Sequence, residues 1–347
     1  MSALFLAIFI WSDVRPQNDP TASLEDSPTT IIGFNHIGIS VKNLDEMVAF
    51  YQKATDFEII KREKVSQHEN ADKLLAHKGI AYETVIFKAP NMLLELTEFT
   101  NQQNTIPEKM LPQGPGMTHT CFQSPSWKSG YTKFQNAQIE LLSRGDSPVD
   151  LGGYGVTYAY GYDPEGNMLE MEQLGKGFLK QTQMDSLFLE QHNMWMTQVA
   201  ILSPNLKKLA DFYQALMGFA PNRTAKLSDS PRLDDIVNQD NIVIQATWFK
   251  MEGYGKMLEL MQYEQPETPA TLYKKDPTDL GYTFSFEVGN IQQEYERMQK
   301  LGVAFLSEPL ILGEFWMVFA HDIDGNVFSL RQATSKASLY SLQNFNY

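Results

Sequence analysis

The amino-acid sequence predicts an α+β protein made of four consecutive modules, each with one strand, one helix and then further strands. One observation is a repeat: the segment from His36 to Phe57 (HIGISVKNLDEMVAFYQKATDF) returns as the segment from Gln198 to Phe219 (QVAILSPNLKKLADFYQALMGF). A repeat at a fixed offset indicates a duplicated structural unit. The other observation is the order of patterns, because strand-like alternation precedes a helical period and further strand-like segments four times along the chain.

The start of the first module shows how these patterns are interpreted. Residues 35–41 alternate between apolar and polar side chains, which is typical of a strand with two different faces. Asn43 with Glu46 three positions later predicts the capped start of a helix. The apolar stripe of that helix should cover the apolar face of the strand. His36 therefore points away from the helix, toward the inside of a curved sheet.

The remaining elements follow in the same order. In the first half, the sequence predicts a helix at 69–77, strands at 83–88, 92–99 and 117–124, a helix at 127–138, and a hairpin around the turn at 163–167 (DPEGN). In the second half, it predicts a strand at 196–203, a helix from 205, strands near 242–249, 256–263 and 282–288, a helix at 291–301, and a hairpin turn at 322–326 (DIDGN). Proline-rich joints at 107–115 and 266–277 separate the modules of each half.

Composition narrows the functional classes. The 347 residues leave room for about two domains, and 43% hydrophobic with 20% charged residues is an ordinary globular composition. A formal net charge of -14 argues against a nucleic-acid partner, because such a surface repels phosphates. The single cysteine, Cys121, excludes an internal disulfide and a cysteine-rich zinc site. A metal ion would depend on His, Glu or Asp ligands.

The N-terminal segment, residues 1–30, consists of an apolar run and a polar tether. The apolar run, Ala3 to Trp11, is shorter than the about 20 residues that span a bilayer. No Lys or Arg precedes the run, and no clear cleavage signal follows it, although the tether is typical of an exported protein. Both a cytoplasmic and an exported location stay open.

Several of these features are similar to one known family. The opening HIGISV, the closing DPEGNMLEME and the four modules resemble the vicinal oxygen chelate superfamily, which includes glyoxalase I, methylmalonyl-CoA epimerase, extradiol dioxygenases and bleomycin-resistance proteins. The resemblance covers residues 31–333. It implies that pairs of modules close eight-stranded cups, and that a divalent metal ion binds inside a cup to residues from the first and last strands of each module.

The resemblance also implies a set of metal ligands. By position, modules one and two offer His36, Glu95, His119 and Glu170, and modules three and four offer Gln198, Glu259, Thr283 and Ser329. Pairing of consecutive modules then predicts a domain at 31–176 with a complete site, a domain at 194–333 with a degenerate site, and a tail at 334–347. Equal spacers between modules favour this sequential pairing. The alternative pairs module two with module three and assembles Gln198, Glu259, His119 and Glu170, a set also seen in glyoxalase I of some lineages.

The activity that the resemblance implies is that of a metal-dependent lyase or isomerase of the glyoxalase or epimerase type. It would act on a small oxygenated substrate through a metal-stabilised enolate, with Glu170 as the base and Glu95 returning the proton. The ligand types are compatible with Zn, Ni, Co, Mn or Fe. One alternative is an extradiol Fe(II) dioxygenase that uses His36, His119 and Glu170.

A second alternative is a metal-free binding protein of the bleomycin-resistance kind. The expected partner in each case is a small molecule, and the chain could be a monomer or a homodimer. Arg144 is a candidate partner for a substrate carboxylate, although a solvated loop is the commoner place for an arginine.

Overall fold

The computed structural model describes residues 28–100, 109–181, 184–251, 256–271 and 274–345. The predicted apolar run at residues 3–11 lies outside these ranges. Within them, none of the helices combines the length and the apolar character needed to cross a membrane.

The described residues form four modules in chain order. Module one contains β1 (Ile31–Ser40), α1 (Leu44–Ala54), β2 (Glu58–Ser66), α2 (Glu69–Leu74), β3 (Ala81–Lys88) and β4 (Leu93–Phe99). Module two contains β5 (Gly116–Pro125), α3 (Gly130–Asn136), β6 (Glu140–Leu141), β7 (Val149–Asp150), β8 (Val156–Tyr162) and β9 (Met168–Leu174), and is followed by α4 (Lys176–Leu179) and α5 (Ser186–Gln191). Module three contains β10 (Trp195–Leu202), α6 (Leu206–Met217), β11 (Arg223–Leu227), α7 (Pro231–Val237), β12 (Val243–Lys250) and β13 (Met257–Gln265). Module four contains β14 (Gly281–Val288), α8 (Ile291–Lys300), β15 (Ala304–Phe305), β16 (Leu310–Leu312), β17 (Phe315–His321) and β18 (Val327–Ala333).

The strands form two mixed sheets of nine strands each, as expected for two cups. The sheet that we call the terminal sheet joins modules one and four in the order β15-β17-β18-β14-β1-β4-β3-β2, with β16 paired to β17. The central sheet joins modules two and three in the order β11-β12-β13-β10-β5-β9-β8-β6, with β7 paired to β8. The α+β fold class is confirmed.

The predicted sequential pairing of modules is wrong. β1 pairs antiparallel with β14, and β10 pairs antiparallel with β5. Residues 31–176 and 194–333 therefore each contribute one module to each sheet, and neither range closes a cup by itself. The physical reason is that β1 and β10 have nearly the same local pattern, so their partners are chosen by contacts between distant modules. One such contact is the hydrogen bond from Gln198 to Glu170.

The convex faces of the two sheets and their helices share one core. A single cluster of buried side chains draws members from both sheets and from α1, α3, α6 and α8. Within it, the ring of Tyr51 on α1 stacks at 6.1 Å on Phe122 of β5, and the Tyr51 hydroxyl donates to Asp163 at 3.0 Å. Because the convex faces are covered in this way, the concave faces remain as the places for functional sites.

The C-terminal segment, residues 334–345, packs on the concave side of the terminal sheet. Leu342 and Phe345 share a buried cluster with Ile86 and Leu93. The backbone N–H of Leu342 also donates to a carboxylate oxygen of Glu287 at 2.7 Å. The cup of the terminal sheet is therefore occupied in part by the chain's own C-terminal segment.

Candidate metal centre

The candidate site lies on the concave face of the central sheet, where β13, β10, β5 and β9 lie side by side. Neighbouring strands in a sheet are about 4.8 Å apart, so one inward-facing residue from each strand can converge on a common point. These residues are, in strand order, Glu259, Gln198, His119 and Glu170. Alternate residues of the same strands, such as Val199 and Leu258, belong to the shared core on the other face.

Three of the four side chains form a compact group of potential ligand atoms. Nε2 of His119 lies 3.7 Å from Oε2 of Glu170 and 3.7 Å from Oε2 of Glu259. All three residues are buried, and their ligand atoms lie within 4.8 Å of one another. The side-chain amide of Gln198 donates to Oε2 of Glu170. The amide oxygen of Gln198 is thereby available as a fourth ligand.

Neighbouring side chains hold two of these groups in place. Nδ1 of His119 is 3.1 Å from the hydroxyl of Thr118, and the indole N–H of Trp248 donates to Oε1 of Glu259 at 2.8 Å. The ring of Tyr160 lies 5.1 Å from the ring of His119. Partners of this kind orient metal ligands and set their basicity.

The residues present fit a divalent cation. Among the residues that the structure describes, none forms a hydrogen bond with Nε2 of His119, although this atom is buried. Burial and the nearby charge of Glu259 raise the pKa of Glu170 well above its usual range. A cation would compensate both carboxylates and accept the imidazole lone pair. Two ligands that are each about 2.1 Å from one ion are roughly 3.0 to 4.2 Å apart, and the 3.7 Å separations fall in that range.

Glu170, Gln198 and Glu259 line a cavity of about 110 Å³. At roughly 10–15 Å³ for each water centre, it holds several waters or one small organic molecule. Its wall is mainly apolar, with Leu227, Leu233, Ile236, Ile244, Met261 and Phe178 among the lining residues. Arg223 and Glu172 also line it.

The four-residue set predicted from sequential pairing does not come together. His36 and Glu95 lie on the terminal sheet, whereas His119 and Glu170 lie on the central sheet. The alternative set, with Gln198 and Glu259, is the one that the fold assembles. The predicted set was wrong because modules two and three pair with each other. The direction in which each of these side chains points from its strand is as predicted.

In the terminal sheet, an arginine lies beside the position of Glu95. Its guanidinium donates to the two carboxylate oxygens of Glu95 from Nη1 at 2.9 Å and from Nη2 at 3.1 Å. This arginine, Arg331, follows Ser329 by two residues as Glu172 follows Glu170. Burial would raise the pKa of Glu95, but the charge of Arg331 lowers it to about 2. The carboxylate that was predicted as a ligand is therefore held in an ion pair.

The other predicted ligand positions of this cup carry uncharged side chains. Burial, together with the charge of Arg331, lowers the pKa of His36 to about 3, so the imidazole is uncharged near neutral pH. The hydroxyl of Ser329 donates to that of Ser285 at 2.8 Å. Thr283 and Ser329 were expected to be weak metal ligands. The cup that contains them already holds a buried cation, the side chain of Arg331.

Sequence reasoning missed two residues of the central cup. Trp248 and Arg223 belong to no motif, and their register opposite Glu259 depends on the pairing of three strands.

Arg144, which the sequence offered as a partner for a substrate carboxylate, lies at the surface, where it pairs with Asp240 at 2.7 Å. It is not among the described residues that line the cavity.

Comparisons with known proteins give the same fold. A family model described as the Glyoxalase/Bleomycin resistance protein/Dioxygenase superfamily matches residues 33–171 and 195–330. Glyoxalase I from Zea mays is similar over 90% of this chain and 97% of its own, with a TM-score of 0.57 and 16% identity. A putative dioxygenase from Bacillus subtilis is similar over 88% and 87%, with a TM-score of 0.56 and 11% identity. A comparison with curated protein sequences gives no significant match.

Proposed function

The chain belongs to the Glyoxalase/Bleomycin resistance protein/Dioxygenase superfamily, and from this premise we propose that it is a metal-dependent lyase or isomerase of the glyoxalase or epimerase type. Its substrate is a small oxygenated molecule, and its metal ligands are Gln198, Glu259, His119 and Glu170. The observation that carries the proposal is the convergence of one imidazole and two carboxylates, of which the two carboxylates line a cavity. Zn, Ni, Co, Mn and Fe all accept such ligands.

The chemistry follows from two carboxylates on opposite sides of the site. A bound divalent ion supplies Lewis-acid stabilisation of negative charge on a substrate oxygen. Glu170 would take a proton from the neighbouring carbon as it shifts from ligand to base, and Gln198 orients it. Glu259 faces it from β13 and is suited to return the proton. The sequence analysis assigned the return of the proton to Glu95. We assign it to Glu259, which holds the equivalent position in the central cup.

The central cup does not provide the metal ligands that an extradiol dioxygenase needs. The 2-His-1-carboxylate arrangement of that enzyme class requires a second imidazole beside His119. The candidate for it, His36, lies on the other sheet. A metal-free binding protein would in turn bury Glu170 and Glu259 together, with Arg223 as the one cationic side chain among the described residues that line the cavity, at a cost in free energy. The lyase or isomerase class is the one that uses all four residues.

Elemental analysis of purified variants tests the site. We expect one metal ion per chain in the wild type, and a loss of at least about tenfold in metal affinity for His119→Ala. Gln198→Ala should also weaken binding, whereas His36→Ala, at the matching position of the other cup, should keep the wild-type stoichiometry. Loss of the metal in His36→Ala together with its retention in Gln198→Ala would refute the assignment. Oxygen uptake with catechols would instead support a dioxygenase.

A further inference from the structure

We infer that the substrate of the central cup carries a compact apolar substituent of about four carbons, and that helix α7 determines which substituents fit. This inference rests on the proposed function of the central cup. The substituent would extend from the oxygens that bind the metal and would lie against side chains of α7.

The apolar part of the cavity begins beside a metal ligand. On β13, Met261 follows Glu259 by two residues, so both side chains project from the same face of the strand. Met261 and its partner on β12, Ala246, belong to one buried apolar cluster. Two residues of a strand span about 7 Å, so the wall changes from polar to apolar within that distance of the metal site.

Helix α7 covers this apolar face. Its side chains Leu233, Ile236 and Val237 belong to the same buried cluster as Met261, and all three line the cavity. They follow one another at the spacing that places residues on a single face of a helix. A group that extends from the metal along the apolar wall therefore meets α7.

Hydrogen bonds to module two hold α7 in position. The hydroxyl of Ser143 donates to the backbone carbonyl of Ile236 at 2.6 Å, and it accepts from the backbone N–H of Tyr160 at 2.7 Å. Arg232 of α7 donates from Nη1 to the backbone carbonyl of Asp150 at 2.8 Å. Because α7 belongs to module three, these bonds tie the helix across the cup. The depth of the cavity is thereby fixed, and a substituent is selected by its size.

The volume and the wall of the cavity indicate which substituent fits. A cavity of about 150 Å³ lined by Leu, Ile and Phe binds benzene, so one of about 110 Å³ takes a group of about four carbons. The cationic side chain on the wall, Arg223, is engaged within the protein, and its guanidinium carbon is 3.6 Å from the centre of a Trp248 ring. Affinity should accordingly come from apolar surface removed from water.

Straight-chain hydroxamates test the inference through binding, because their vicinal oxygens chelate metal ions while the alkyl chain can be lengthened. Calorimetry on the metal-loaded full chain should show the affinity rising about fourfold for each methylene from acetohydroxamate to pentanohydroxamate, with little further gain beyond it. Succinic monohydroxamate, which ends in a carboxylate, should bind more weakly than butanohydroxamate, which has the same length.

Variants at Ile236 locate the source of this dependence. Ile236→Ala enlarges the cavity and should extend the gain in affinity to hexano- or heptanohydroxamate. Ile236→Phe reduces the cavity and should end the gain at butanohydroxamate or earlier. Neither variant should change the metal content or the affinity for acetohydroxamate, whose methyl group stays beside the metal. A general loss of stability would not shift the two variants in opposite directions.

The matched control is Leu74→Ala. Leu74 of α2 lies as far beyond His36 as Ile236 lies beyond Gln198, and it is also buried. This variant truncates a comparable side chain beside the other sheet and should keep the wild-type series of affinities. An unchanged series in both Ile236 variants, or the same change in Leu74→Ala, would overturn the inference. Tighter binding of succinic monohydroxamate than of butanohydroxamate would also overturn it.

Failure of the inference and failure of the proposed function give different results. If the protein holds its metal and the affinity does not depend on chain length, or no hydroxamate binds, the metal centre stands and the apolar subsite is wrong. If the protein holds no stoichiometric metal and no hydroxamate binds, the proposed function itself is wrong.

Discussion

At the level of single residues, a buried ion pair joins Arg331 to Glu95 in the terminal cup. Both side chains are largely buried, and two hydrogen bonds join them. Removing one partner of a buried pair leaves an uncompensated charge and costs about 3–5 kcal/mol, whereas replacing both with apolar residues is often nearly neutral. We expect Arg331→Met to lower the free energy of unfolding by about that amount. Urea denaturation measures it.

The double variant Glu95→Leu/Arg331→Met provides the control. It should recover most of the stability that Arg331→Met loses, because no buried charge is left. If the double variant is as unstable as the sum of the two single variants, the ion pair does not account for the charge balance of this cup.

His36 predicts a dependence of stability on pH. Its pKa in the folded protein is about 3, below the ordinary value of 6.5, because of burial and the charge of Arg331. Its contribution to stability is therefore complete above pH 6.5 and is lost as the pH falls from 6.5 toward 3. Between about pH 7.5 and 5, the wild type should lose roughly 2 kcal/mol more than His36→Gln does. Denaturant titrations at both pH values test this, and parallel curves for the two proteins would contradict it.

The limits of sequence reasoning are visible in the same residues. His119 and Glu170 could be placed on the first and last strands of module two, because the strand-like segment at 117–124 and the DPEGN turn mark those strands. Their partners could not be chosen, since His36 and Gln198 occupy the same position of one duplicated phrase. The choice depends on which strand lies beside β5, and that is decided by contacts between segments far apart in the sequence.

At the level of elements, the C-terminal segment fills part of the terminal cup. Leu342 is buried against Ile86 and Leu93 on its concave side. Truncation of a buried leucine removes apolar contacts and leaves a cavity, so Leu342→Ala should destabilise the protein by about 2–4 kcal/mol. The matched control is Leu339→Ala, at a side chain that is 62% exposed, which should change stability by less than about 0.5 kcal/mol. Equal melting temperatures for the two variants would show that the segment does not stabilise the cup.

Prediction of elements from sequence succeeded where local signals are strong. Asn43 accepts a hydrogen bond from the backbone N–H of Glu46, as the predicted helix cap requires, and Asn205 accepts one from Lys208 in the second copy. Strands β2 and β11 were missed. Both are edge strands in which exposed polar or charged residues largely alternate with half-buried ones, so neither presents the apolar alternation by which strands are recognised.

At the level of the whole molecule, the exchange of modules ties the two halves of the chain together. The first and last modules of the chain form the terminal sheet, and the two middle modules form the central sheet. On the convex faces, Arg297 of α8 donates to a backbone carbonyl of α6, at Ala215, so helices from different sheets are joined. The equal spacers in the sequence are compatible with either pairing of modules, which is why they could not reveal this arrangement.

The shared core predicts that a metal ion bound at the proposed site would stabilise the entire molecule. Because one buried cluster contains side chains of both sheets, the two cups should unfold in a single transition. At a free metal concentration of about 100 times the dissociation constant, binding adds about 2.7 kcal/mol. For a chain of this length, that corresponds to a rise in melting temperature of about 4 °C. Differential scanning calorimetry should show the whole peak shifting on addition of metal, with no shift in His119→Ala. Two separate transitions, of which only one responds to metal, would mean that the cups are energetically independent despite their common core.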